Sequence, residues 1–483
     1  MRNRLVIAAI VAVAGMAVQT AAAQPGLVIK AQERPIKDSY IVVFNQGREA
    51  SSLASELASV HGGRIKHFYR HALQGAAYEM TAAQAEAMAR NPWVASVEED
   101  FELSIVADQA NPPSWGLDRV DQRNLPLNNN YHYDYNGTGV RVYVIDSGIR
   151  TTHNDFGGRA VWATDCTAQG QFDPIGHGTH VAGTVGGSAH GIAKNAGLYA
   201  VKVCTSATSC LNSHVICGID YVTGRKQASP SIPMVANMSL GGSLNSTMNN
   251  SVQASINVGV FYAVAAGNDT ADACNTSPAS APNAFTVGAT TITDARSSFS
   301  NFGTCLDIFA PGSGITSAWN TSNTATQTLN GTSMASPHVA GAAALILHQN
   351  PSWPPYQVTT ELAERATLNK VTSPGTGSPN RLLYTLAVAP PPGSPARPAS
   401  LTITNLQCWA LNSASWTASS GATYYELYRS PSSSFPTQTL QYSGPNTSLN
   451  FTGTGYLRVR ACNASGCSGY RAGNVPAVSY GTC

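Results

Sequence analysis

The pattern of apolar and polar positions changes character several times along the chain. Leu5 to Val18 is one apolar stretch behind Arg2 and Arg4. Between Pro35 and Val106, SYIVVF from Ser39 and a terminal VASVEED read as strands, and Ala50–Val60 and Thr81–Arg90 carry helical spacing. A small α/β module is predicted there. Val140 to Ile145 is a continuous apolar run closed by Asp146 and the turn Ser147-Gly148, which predicts a fully buried parallel strand. Val258 to Ala266 is a second apolar stretch, ending in the tight turn AAGN. VAGTVGG from Val181 suits a small-residue helix packed closely on a sheet, and Met334 to His348 predicts a buried helix. APPPGSPARP, residues 389–398, reads as a stiff linker. Beyond Ala399 come short alternating runs, with Trp416, Tyr425, Leu427, Tyr456, Leu457 and Val459 available to fill a small β-sandwich.

Composition adds bounds. A formal net charge of +2 gives no electrostatic case for nucleic acid or an anionic membrane. The N-terminal apolar stretch, followed by Ala21-Ala22-Ala23, reads as a secretory signal peptide over residues 1–23 and is too short for a membrane span. An exported, soluble, extracellular protein is therefore expected. The 10 cysteines agree, because all lie beyond Asp165 and can pair within the downstream part of the chain. Cys166, Cys204, Cys210 and Cys217 leave three pairings open. Cys462 and Cys467 can clip the hairpin they flank, leaving Cys408 and Cys483 to tie the ends of the last module.

The candidate chemistry lies in VIDSGI around Asp146, GHGTHVAG around His177 and NGTSMASPHVAG around Ser333. An acid, a base and a nucleophile in the order Asp, His, Ser is one of the linear arrangements a serine hydrolase triad adopts. Ser333 opens the predicted helix, where free N–H groups and the helix dipole favour a developing negative charge. Its hydroxyl is a weak nucleophile unless His177 removes the proton, and Asp146 would fix the imidazole tautomer. The Ser333 N–H supplies one oxyanion donor, and Asn268 in AAGN is the best side-chain candidate for another. HGTH is not a zincin pair, which needs two histidines four apart and an intervening Glu.

With NMSLGG and VAAGN, these segments make the chain resemble the subtilisin-like serine proteases, in particular the proteinase K branch, over roughly 107–388. The resemblance implies an α/β fold with a parallel sheet sandwiched by helices. It makes Asp146, His177 and Ser333 the triad, with Asn268 completing the oxyanion hole, and gives His180 no catalytic part. It makes residues 24–106 an inhibitory propeptide that chaperones folding, with maturation between Val106 and Ala107, so the chain's own propeptide is an expected partner. Residues 399–483 resemble a fibronectin type III module, with a role in holding polymeric substrate or in stability. Cys274 and Cys305 resemble a bridged pair, and by analogy Cys166–Cys204 with Cys210–Cys217 is the preferred pairing of the remaining four in the peptidase.

Polypeptide substrate is expected to add as a strand between Ser239-Leu240-Gly241 and the stretch from Thr208, Ser209 and Cys210 to Asn212. Backbone pairing of this kind favours broad endopeptidase action. By the resemblance, Gly241, Ala265 and Gly267 line the first pocket, and no acidic residue in these stretches selects Lys or Arg. Structural calcium is implied at Asp307 with the carbonyls of Pro282 and Ala284, and at Asp118, Asp121 and Gln122, because hard oxygen ligands suit that ion. No cofactor is needed for catalysis, and a monomer is expected. The other function class is a secreted binding protein that keeps the fold without turnover.

Overall fold

The computed structural model describes residues 28–31, 35–101, 107–206, 209–387, 394–406, 411–431, 434–435, 438–452 and 455–475. The chain divides into two compact units, Met1–Ser104 and Ile105–Cys483. The expected signal peptide, the Val106–Ala107 bond, Thr208, Cys408 and Cys483 fall wholly or partly outside the described residues. Among the described residues, no helix is long and apolar enough to cross a membrane.

In the first unit, strands Pro35–Phe44 and Val94–Phe101 pair antiparallel at the centre of a five-stranded sheet. Helices Ala50–His61 and Ala82–Ala89 cover it, burying Leu53, Leu57 and Met88 against Val42, Tyr78 and Val97. Thr81 and Gln84 cap the second helix reciprocally, so polar side chains satisfy the free N–H groups at its start.

The larger part of the second unit is built on β1 (Arg141–Asp146), β2 (Ala160–Asp165), α1 (His177–Gly186), β3 (Gly197–Lys202), α2 (Asn212–Ala228), β4 (Met234–Met238), α3 (Ser246–Asn257), β5 (Val260–Ala265), β6 (Phe285–Thr290), β7 (Ile308–Pro311), α4 (Thr332–Gln349), α5 (Pro355–Arg365), β8 (Thr367–Leu368) and β9 (Arg381–Leu382). Its nine-stranded sheet has the order β8-β9-β7-β6-β5-β4-β1-β3-β2. All pairs are parallel except β8 with β9. Both faces are covered, which explains why β1 reads as an unbroken apolar run. Val142 and Val144 pack with α1 and α4, whereas Tyr143 and Ile145 pack with α2 and α3. The alanines and glycines of α1 and α4 let these two helices pack together beneath the sheet.

Beyond this α/β part, β10 (Leu401–Leu406), β11 (Leu411–Trp416) and β14 (Ser448–Thr452) form one antiparallel sheet. The other contains β12 (Tyr424–Ser430), β13 (Thr439–Gly444), β15 (Gly455–Asn463), β16 (Gly466–Cys467) and β17 (Arg471–Val475). Trp416 and Phe451 of the first sheet share a core with Tyr425, Leu427, Leu457 and Val459 of the second. Tyr456, expected in that core, instead donates its hydroxyl to Asn283 Oδ1 of the α/β part.

Cys274–Cys305 and Cys462–Cys467 are bridged as expected. The other four pair differently: Cys166 joins Cys217, and Cys204 joins Cys210. The preferred Cys166–Cys204 and Cys210–Cys217 pairing fails on helix geometry. Cys210 lies before the start of α2 and Cys217 within it. At 1.5 Å rise per residue Asn212, the first residue of α2, is already about 7.5 Å along the axis from Cys217, and Cys210 ahead of it bridges Cys204 instead.

Candidate active site

Asp146 ends β1, the strand at which the sheet stops adding strands on one side and begins on the other. Ligand sites in open α/β sheets collect at the carboxyl edge beside such a switch. The carboxylate is 1% exposed. Its Oδ1 accepts the Ser147 N–H at 2.7 Å, and Oδ1 and Oδ2 lie 2.8 and 2.9 Å from His177 Nδ1. This approach needs Gly178, because a Cβ there would sit 2.1 Å from the Gly148 carbonyl oxygen. Burial alone would push the His177 pKa down, but the charge and hydrogen bond of Asp146, with the charge of Asp173, hold it above the ordinary value.

Asp173 is a positioning residue that the sequence reading missed. Its Oδ1 accepts from the Ser147 hydroxyl and from the N–H groups of Ile175 and Gly176, and its Oδ2 accepts the Thr179 N–H and hydroxyl. One buried carboxylate therefore ties the turn after β1 to the start of α1. An Asp just ahead of a predicted helix is the usual capping signal and could have exposed it.

Ser333 is the second residue of α4. Its hydroxyl donates to the Ser239 carbonyl at 3.1 Å rather than to His177. Turning it to the base requires a rotamer change, and such contacts commonly tighten only when substrate binds. The Ser239 hydroxyl donates back to the Ser333 carbonyl at 2.8 Å, and Asn237 holds both Ser239 and Ser336. Asn268 Oδ1 accepts the N–H and hydroxyl of Thr332, each at 2.9 Å. Its Nδ2 remains as the donor. A Cβ on Gly331 would lie 3.5 Å from Ser333 N and 3.6 Å from Asn268 Nδ2, so both donors border the space that this glycine leaves open. Asp146, Ser239 and Asn268 stand at the carboxyl ends of β1, β4 and β5, all at one edge of the parallel sheet.

His180 has a different character from His177. It is fully buried, its Nε2 faces the carbonyls of Ile315 and Gln327, and burial pushes its pKa down to about 4. It braces the site as a neutral ring.

Ser239, Leu240 and Gly241 leave β4 toward Gly242–Ser243, which pairs antiparallel with Thr276–Ser277. Opposite, Ser209 and Cys210 belong to a tight loop closed by the Cys204–Cys210 bridge and by the Thr205 N–H donating to Ser209 O at 2.9 Å. Ala265 ends β5, and Gly267 follows with φ 102°. A Cβ on Gly267 would sit 2.4 Å from Nδ2 of the buried Asn301, so the close packing behind this turn requires glycine.

The expected metal ligands fall into two different environments. Asp118 accepts the N–H groups of Asn128 and Asn129, and the Gln122 amide is fixed on the carbonyls of Asn124 and Pro126. Asp121 Oδ2 accepts the His132 N–H, while Oδ1 is buried with no hydrogen-bond partner among the described residues. Burial, with the charge of Asp118 adding to it, pushes the Asp121 pKa up to about 6. An orphaned carboxylate oxygen beside a second carboxylate fits a hard cation. Asp307 does not fit one. Its Oδ2 accepts the Thr286 N–H at 2.8 Å, its carboxylate also takes a hydrogen bond from Ser434, and the Arg381 guanidinium attracts it.

The sequence profile of the subtilase family, peptidase S8, matches residues 137–383. The chain belongs to the subtilase family. It is a subtilisin-like serine protease, and the peptidase inhibitor I9 profile matches residues 39–105, nearly all of them in the first unit. The subtilase resembles the "Extracellular serine proteinase" of Thermus sp. (strain Rt41A), 48% identical over 342 residues that cover 70% of this chain and 82% of that one. The "Cuticle-degrading protease" of Metarhizium anisopliae is 39% identical over 356 residues, covering 73% and 90%. A solved cold-adapted subtilisin-like serine proteinase shares 50% identity with a TM-score of 0.54, covering 57% of this subtilase and 98% of that chain.

Proposed function

We propose that this subtilase is a secreted serine endopeptidase of broad specificity, released from a zymogen by its own cleavage and active as a monomer. The observation that carries the reading is the doubly hydrogen-bonded Asp146–His177 pair at the same sheet edge as Ser333. His177 Nε2 takes the Ser333 proton as Oγ attacks the scissile carbonyl, then returns it to the leaving amine. Water next hydrolyses the acyl-enzyme by the same route. Asp146 keeps the other imidazole proton on Nδ1. Ser333 N–H and Asn268 Nδ2 receive the oxyanion. Apolar or aromatic side chains suit a first pocket lined by Gly241, Ala265 and Gly267. The two-sheet C-terminal module reads as fibronectin type III-like. The deciding experiment is hydrolysis of denatured casein by the secreted protein beside Ser333→Ala, followed for both turnover and pro-segment release. Loss of both in the variant is expected, and retention of both would return the chain to a binding role.

Asn268→Ala should lower kcat by about 100- to 1,000-fold with little change in KM, a size measured on a subtilisin rather than derived from these distances. Because Asn268 also braces Thr332, the variant's Tm belongs in the same experiment. A kcat within threefold of the parent would remove Asn268 from the oxyanion site.

Calcium, if bound by Asp118, Asp121 and Gln122, acts on stability by joining the short helix Trp115–Val120 and the residues just after it to the segment 128–132. At a hundredfold excess over its Kd it contributes about 2.7 kcal/mol, or roughly 3–5 °C of Tm for a unit of this size. Chelation with EDTA should therefore lower Tm by that much, and Asp121→Asn should remove most of the response. An EDTA response unchanged in Asp121→Asn would place the ion elsewhere.

A further inference from the structure

The C-terminal module is seated on the peptidase by buried charge. At the end of the linker the half-buried Arg397 reaches the buried Glu361 Oε2 on α5 at 2.9 Å, and Arg365 holds the other oxygen, also at 2.9 Å. On the same helix Glu364 faces Arg458 of β15 at 3.3 Å and the Tyr470 N–H at 3.3 Å. Charges taken out of water are tolerable only where their partners are well placed, so such a contact favours one docking register over a loose tether.

A second contact meets the carboxylate that failed the test for a cation. Arg381 of β9 donates to the carbonyls of Ser434 and Phe435, each at 2.8 Å, and the Ser434 side chain hydrogen-bonds to Asp307. Tyr456 donates to Asn283, which lies between Pro282 and Ala284. A metal ion here would balance one carboxylate and gather carbonyl oxygens around it. Arg381 supplies the positive charge and gathers two carbonyls, while Ser434 supplies a donor to the carboxylate. We infer that the turn bearing Ser434 and Phe435, held by Arg381, stands in for a cation at Asp307, so that module docking rather than calcium completes this face of the protease. The module is then an integral part of the catalytic unit, and Asp307 is an anchor for it.

The test uses the full chain with its nucleophile blocked by a sulfonyl fluoride and a site for a sequence-specific protease placed within residues 389–393. Calcium bound per chain is counted by equilibrium dialysis against radioactive calcium alone. Retention of the module after cutting is followed by gel filtration over a concentration series. Asp307→Asn and Ser434→Ala should each leave the calcium count unchanged and weaken retention by about ten- to a hundredfold, the size of a lost hydrogen bond to a charged group. Loss of one calcium in Asp307→Asn would overturn the inference, as would a parent module that separates as freely as that of either variant. Should Asp307→Asn fail to fold, Ser434→Ala decides alone: unchanged retention in that variant sinks the idea.

Discussion

Replacing Ser333 by alanine should lower kcat for casein by about a million-fold, a size known from subtilisin rather than derived from this geometry. The substitution removes the attacking oxygen and little else. Ser333 Oγ has one hydrogen bond among the described residues, to the Ser239 carbonyl, and that carbonyl borders the expected substrate strand. The helix start is held without it. Asn268 fixes the Thr332 N–H and hydroxyl, the Ser239 hydroxyl fixes the Ser333 carbonyl, and Ser336 is tied to Asn237. The variant should therefore fold, bind substrate with a KM within a few-fold of the parent, and keep its N-terminal unit uncleaved. Residual hydrolysis well above the water rate is expected, because the oxyanion donors remain. A variant that still cleaves casein within tenfold of the parent would show that another group attacks.

Much of this site could be read from local sequence because each member is the end of an element with a strong pattern. Asp146 closes an apolar run, His177 sits between two glycines, and Ser333 begins a run of alanines and leucines. The same reasoning foresaw both helices of the first unit at Ala50 and Thr81. What escaped it was held by partners far along the chain. Asp173 matters through Ser147 and Thr179 together, and Asn237 through Ser336, 99 residues away. No periodicity reports such pairs. The cysteines failed for a related reason: the choice among pairings turns on where α2 begins, and Cys210 lies just outside it while Cys217 lies within. Asp307 was assigned a metal by resemblance, and the hydrogen bond that Ser434 gives it comes from a different part of the chain, whose docking no local pattern records.

Asp146→Asn is the second large effect expected, a fall of about 10⁴-fold in kcat near neutral pH. The local geometry dictates the reason. Asp146 Oδ1 accepts the Ser147 N–H at 2.7 Å, so an asparagine places its carbonyl oxygen there. Its amide nitrogen then takes the Oδ2 position, 2.9 Å from His177 Nδ1. Nδ1 then faces an acceptor at the Oδ1 position, 2.8 Å away, and a donor at 2.9 Å, and the donor favours the tautomer whose proton sits on Nε2, the nitrogen that should accept the Ser333 proton. The substitution also moves the pH dependence. In the parent, His177 must be neutral to act, and Asp146 holds its pKa above the ordinary value of about 6.5. Activity is therefore lost as pH falls through that raised value. Without the Asp146 charge, burial becomes the larger influence and favours the neutral ring. The acid limb of kcat/KM should then move to lower pH while the plateau drops. A steady-state profile on a peptide nitroanilide from pH 4 to 9 reads both quantities. A low plateau with an unmoved acid limb would mean that Asp146 orients the ring without setting its charge, and an unchanged plateau would remove Asp146 from the mechanism.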